Sequence, residues 1–358
     1  MAATTASALQ QAAHRFSVAC AACAQLLPPL FVDPIGEAVA PVFRLAAKIP
    51  SPLVMKRPIL KRSRGFPLVL RAVVVAIGFC CCLGNASAAL AAPSLWVIKS
   101  PLATVYLFGT IHLLRASQDW ETPTIKGALN RSQELWLEVP DLDTGAARQF
   151  VTQFGYDPAH PLSTVLPAKD LVRLKNAASS VGLPQGEATL EPMRPWLAAL
   201  AVTESQMAHA GFDTNAGVEH ILQDQWSTSH KAVRGFETLD RQLHFFADLS
   251  PRLQEEVLEN ALDDFDDGPA KLNAIIAAWL QGDQQTIARL VVDELRQPLP
   301  DLYRILIVER NEHWTDTIAG MLKQPGVRFI AVGAGHLAGP DSVQAKLAAK
   351  GIEAELVR

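Results

Sequence analysis

The chain has 358 residues, 49% hydrophobic and 19% charged, with a formal net charge of −4. That length accommodates one large or two ordinary domains. The average hides a split: residues 1–91 carry nine Lys/Arg against two Asp/Glu, leaving 23 against 34 beyond them. An acidic body without a basic stripe argues against nucleic acid as a partner.

The front reads as export machinery. Met55-Lys56-Arg57 opens a basic region that runs through Arg64 to Arg71. Ala72–Leu83 is a short apolar run, and Ala86-Ser87-Ala88 and Ala89-Leu90-Ala91 are small-x-small cleavage candidates. Charge, then apolar core, then small residues is the order of a secretory signal peptide, and the apolar run is too short for a membrane span. Residues 55–91 are therefore expected to be a signal peptide. Residues 1–54 are expected to be an extension left by a misplaced start. The product, 92–358, is then periplasmic or secreted, where association with the envelope is an option. All five cysteines precede residue 92. The exported part thus has no thiolate, and any metal must be held by His, Asp and Glu.

Beyond residue 91, Leu95–Lys99 and Thr104–Thr110 read as two strands joined by a tight turn, hence an antiparallel pair. Pro123–Gln133 is helical in pattern, and Leu135–Val139 is the next strand. From about residue 143 to 325 the periodicity is that of helices, interrupted by a short strand over Lys231–Phe236. One helix is expected to start near Thr214, and another to run unbroken over Asp301–Leu322. A strand at Arg328–Val332, a helix over Pro340–Lys350 and a strand at Glu353–Val357 close the chain. Strand–helix alternation there implies parallel pairing. The expected fold is α/β: a mixed sheet built from both chain ends around a large helical insertion.

The candidate chemistry sits where strands stop. Phe108-Gly109-Thr110-Ile111-His112 and Val332-Gly333-Ala334-Gly335-His336 repeat one design, an apolar strand ending in glycine with a histidine three residues on. Glycine lets the backbone turn sharply there. In open α/β sheets the ligand crevice lies beyond the carboxyl ends of the strands. Neutral imidazoles are common ligands for divalent metals. Glu138 lies in an apolar strand, where an ionised carboxylate needs a partner or a metal. Glu237 follows Gly235-Phe236 and is a candidate ligand or general base. Arg310 and Asn311, inside a long helix, are candidates for clamping a substrate carboxylate or an oxyanion.

Together these landmarks resemble the TraB/GumN family, whose animal branch is the TIKI metalloproteases. The match rests on Leu107–His112, Leu137-Glu138, Met193-Arg194-Pro195-Trp196, Gly211-Phe212-Asp213, Gly235-Phe236-Glu237-Thr238 with Gln242, Glu309-Arg310-Asn311 and Val332–Leu337. It covers nearly all of 94–358. The resemblance implies a fold like that of ChaN and the erythromycin esterases. It also implies a metal set on His112, His336 and Glu138, and a manganese- or cobalt-dependent peptidase; zinc is the further candidate that imidazole donors allow. Phe236 stands where many relatives have leucine, a change expected to leave the site untouched. The expected function is an exported hydrolase of peptides or small molecules. The alternative is a non-catalytic haem- or metal-binding protein, or an envelope interaction protein, of the same fold.

Overall fold

A computed structural model describes residues 92–357 apart from 117, 141–143, 184 and 230. The expected extension, signal peptide and cysteines lie outside these residues. Among them, no helix is long and apolar enough to cross a membrane.

The core is a six-stranded mixed sheet in the order β4-β3-β5-β2-β1-β6. Its strands are β1 (Leu95–Lys99), β2 (Ala103–Thr110), β3 (Glu134–Leu137), β4 (Ala232–Gly235), β5 (Gly326–Gly333) and β6 (Glu355–Leu356). The opening pair is antiparallel, and β6 adds antiparallel to β1. β2, β5, β3 and β4 run parallel. The expected α/β architecture, with strands from both ends and helices between, is what the chain forms.

Strand alternation sorts the side chains into two layers. Phe108, Phe329 and Ala331 face the insertion side, where Phe108 stacks on Trp120 at 5.7 Å. Val105, Leu107, Ile330 and Val332 face the other layer, with Trp314, Ile318 and Leu347. The principal helices are α1 (Pro123–Arg131), α2 (Ala168–Ser180), α3 (Pro195–His209), α4 (Val218–Ser227), α5 (Leu239–Ala247), α6 (Pro251–Asp263), α7 (Gly268–Leu280), α8 (Arg310–Met321) and α9 (Val343–Ala349). Side-chain caps at Thr122, Thr238, Ser250 and Ser342 satisfy amides at the starts of α1, α5, α6 and α9.

Two expected helices differ in detail. The helix expected from Thr214 is a short 3-10 turn, Thr214–Ala216, then Gly217, and only then α4. The long helix expected over Asp301–Leu322 carries a π-helical stretch at Arg304–Glu309 before α8. Such wide turns are frequent at functional sites; two others lie at Val151–Gly155 and Ala288–Asp293, and this one stands immediately before Arg310.

Two stability predictions arise away from the sheet. A Cβ at Gly320 would meet nothing within 4 Å. Gly320→Ala in α8 is therefore expected to stabilise the protein by roughly 0.5–1 kcal/mol in urea unfolding. Glu294 lies near the Asp264–Lys271 ion pair of 2.7 Å, and burial pushes its carboxyl up to about 7. The raised pKa means that the folded state holds a proton that the unfolded state releases above about 4.5. Its contribution is full below that pH and disappears as pH rises through 7. The group is partly exposed, so after screening the loss is about 1 kcal/mol. Urea melts near pH 5 and pH 8 should show it, and Glu294→Gln should shrink the difference.

Candidate active site

Four adjacent parallel strands each release one of the expected residues just past their carboxyl ends. β2 leads to His112, β5 to His336, β3 to Glu138 and β4 to Glu237. The ladder of β3 and β4 continues one step further, since Phe236 N–H donates to Leu137 O at 3.1 Å and Glu237 N–H to Glu138 O at 2.9 Å. That step sets the two glutamates side by side. On the neighbouring pair, Thr110 is in register with Gly333. A Cβ on Gly109 would lie 3.1 Å from Ala334 Cα, so the first motif's glycine permits the close approach of the second.

Arg310, at the start of α8, fills the space between these strand ends and is buried. Its Nε and Nη2 each donate at 2.9 Å to the two oxygens of Glu237. Nη2 also reaches Glu138 Oε2 at 2.6 Å, and Nη1 lies 3.1 Å from His336 Nε2. Burial alone would favour discharge of the guanidinium, but Glu237 and Glu138 outweigh it and raise its pKa further above the ordinary value. Glu138 Oε1 accepts from Gly333 N–H at 2.7 Å and stands 3.7 Å from His336 Nε2. Arg310 was a candidate clamp for a substrate. In the structure it binds both glutamates and approaches one histidine.

The histidines are held by different partners. Asn311 Nδ2 donates to the carbonyls of His336 and Asp341, which leaves its Oδ1 to accept from His336 Nδ1 at 2.7 Å. The proton then sits on Nδ1 and the lone pair on Nε2. Burial, followed by the charge of Arg310 and the nearby His112, holds His336 well below the usual histidine range. His112 Nδ1 lies 3.0 Å from Glu219 Oε1. Burial opposes charge on that ring, but the Glu219 carboxylate overcomes it and lifts the pKa above the ordinary value. The charges of Glu138 and Arg310 also reach His112, so both rings share one electrostatic environment.

All six expected residues, Glu138, Glu237, Arg310, Asn311, His112 and His336, thus meet at one end of the sheet. Sequence reasoning missed Glu219 and Trp314, and named Gln242 only as a landmark of the match, without a role in the site. Gln242 Nε2 donates to Glu237 at 2.9 Å and to Glu138 at 3.2 Å. Trp314 donates to Glu237 Oε1 at 3.0 Å, and its ring lies 4.4 Å from that of His336. Phe236 stacks on Trp314 at 5.2 Å. The change from leucine that was expected to leave the site untouched thus lies beside the tryptophan that touches Glu237 and His336. Glu219 stands in the first turn of α4, where a carboxylate suits the helix dipole. The signal for it was Gly217, which breaks the helix expected across it.

The donor set can be weighed against a divalent ion. Among the described residues, no three His, Cys, Asp or Glu side chains stand together as a ready cage. The chemistry of the set nevertheless fits one. Glu138, Glu237 and Glu219 against Arg310 leave two negative charges when the rings are neutral, and Glu219 Oε2 is buried without a hydrogen-bond partner. Uncompensated buried charge is costly, and a cation relieves it. Each ring also has its Nδ1 held by an oxygen, the arrangement that fixes metal-binding histidines.

The TraB/PrgY/gumN family profile matches residues 94–356. An uncharacterized protein of Treponema pallidum (strain Nichols) is 24% identical over 331 residues, covering 85% of this chain and 95% of the relative. No solved structure matches the chain. The family match spans every strand and every residue of the site, and the chain belongs to the TraB/PrgY/gumN family.

Proposed function

We propose that this crevice is the active site of an exported, metal-dependent hydrolase acting on a peptide or small molecule. The observation that carries the reading is the release of two histidines and two glutamates from four adjacent strand ends, with a buried arginine binding both glutamates and approaching His336. His112, His336 and Glu138 would hold manganese, cobalt or zinc. The ion's contribution there is Lewis acidity, which brings the pKa of water towards about 7. His336 would offer the ion its Nε2, the nitrogen that Arg310 Nη1 approaches at 3.1 Å. Glu237 or Glu138 would take up the proton of the attacking water; both carboxylates accept from Arg310 and Gln242. Arg310 fixes both carboxylates in place, and Asn311 keeps the His336 lone pair on Nε2.

The test is hydrolysis of a mixed peptide library, read by mass spectrometry. Cleavage should require added manganese, cobalt or zinc, stop in chelator and be lost in Glu138→Gln. Cleavage that survives chelator overturns the metal requirement. Absence of cleavage, together with a haemin Soret shift lost in His112→Ala, would favour the binding-protein alternative.

A further inference from the structure

The polar groups beyond the six expected residues include one carboxylate that touches the site and has no assigned role. Glu219 Oε1 sits 3.0 Å from His112 Nδ1 and also accepts the hydroxyl of Thr110, the last residue of β2. Its side chain is 16% exposed, against 4% for Glu138 and 6% for Glu237, so it stands at the wetter rim of the cluster.

The backbone is built to hold it there. Val218 N–H donates to Ile111 O at 3.1 Å, and Leu114 exchanges hydrogen bonds with Asp213 at 3.3 and 2.8 Å. These contacts clamp the first turn of α4 onto the loop that carries His112. Gly217 makes the clamp possible: a Cβ there would stand 2.2 Å from the His112 carbonyl oxygen. Two chain segments far apart in sequence are thus locked residue against residue around a single imidazole–carboxylate contact.

We propose that Glu219 is a positioning residue: it holds the proton of His112 on Nδ1 and thereby turns the Nε2 lone pair towards the metal site. The inference rests on the hydrolase reading and adds a residue to it. Asn311 does the same for His336 with an amide in place of a carboxylate. The two rings are therefore oriented by partners of different charge. A carboxylate behind a ring also raises the basicity of the ligating nitrogen, and loss of such a partner costs about 10- to 100-fold in metal affinity.

The test combines a proton-position readout with a binding readout. Long-range proton–nitrogen NMR of the histidine rings, recorded at a pH where they are neutral, reports which nitrogen carries the proton. The wild type should show His112 protonated on Nδ1. Glu219→Ala should shift it towards the Nε2 tautomer, while His336 is unchanged and serves as the internal control. Glu219→Gln keeps the shape and an oxygen acceptor, so it should retain the tautomer while losing part of the affinity. Manganese titration of the same proteins should show the roughly 10- to 100-fold loss in Glu219→Ala. An unchanged His112 tautomer in Glu219→Ala, or a His112 protonated on Nε2 in the wild type, overturns the proposal. Should the wild type bind none of manganese, cobalt and zinc, the hydrolase reading fails, and the tautomer measurement still decides the role of Glu219 on its own.

Discussion

Arg310→Met is expected to destabilise the protein by about 3–5 kcal/mol, the cost of stranding buried charge. The guanidinium binds Glu237 through two parallel hydrogen bonds and Glu138 through a third, with all three side chains buried. Methionine fills similar space but leaves the two carboxylates facing each other with no cation between them. Arg310→Lys should cost less, since it keeps the charge, but a single ammonium cannot reproduce the planar fork that reaches both glutamates. Adding Glu237→Gln to Arg310→Met should recover part of the loss, because one of the stranded charges is then gone. Urea unfolding of the three variants measures all of these. Equal stability of Arg310→Met and wild type would mean that the cluster is solvated and not a sealed site.

Gly217→Ala is the second large effect. A Cβ at this position would stand 2.2 Å from the carbonyl oxygen of His112 and 2.8 Å from that of Thr214. Both obstacles are main chain, so no rotamer change relieves them. Forced packing of this kind costs about 1–3 kcal/mol. The functional loss should exceed the stability loss, because the strain falls on the backbone that carries His112 and on the turn that presents Glu219. A displacement on the order of 1 Å can cost about 100-fold in rate. The pair to compare is Gly217→Ala and Gly320→Ala: one methyl group in each, expected to act in opposite directions on stability. A Gly217→Ala protein with wild-type stability and metal affinity would count against the clamp.

Much of this arrangement was legible in the sequence because the signals were local. Apolar runs that stop at Gly109 and Gly333 mark strand ends, and a glutamate following Leu137 in such a run demands a buried partner. The partner's identity was not legible. The sequence offers Glu309 as a neighbour for Arg310, yet Glu309 pairs with Arg304, while Arg310 spans to Glu138 and Glu237. Helix phase decides that, and the π-helical stretch at Arg304–Glu309 resets the phase just before Arg310. Glu219 was hidden for a related reason. A continuous apolar period across Ala216, Val218 and Ile221 looks like one helix, and only the close approach of Gly217 to the His112 carbonyl explains why the chain breaks there.

The central claim is that His112 and His336, arriving from β2 and β5, serve one metal site. Its most direct test is metal analysis of the purified protein after dialysis against manganese, cobalt or zinc, beside His112→Ala and His336→Ala. The account predicts that the wild type retains an ion, and that either substitution abolishes retention while circular dichroism shows the fold intact. A wild type that retains none, or two variants that retain as much as the wild type, would contradict it.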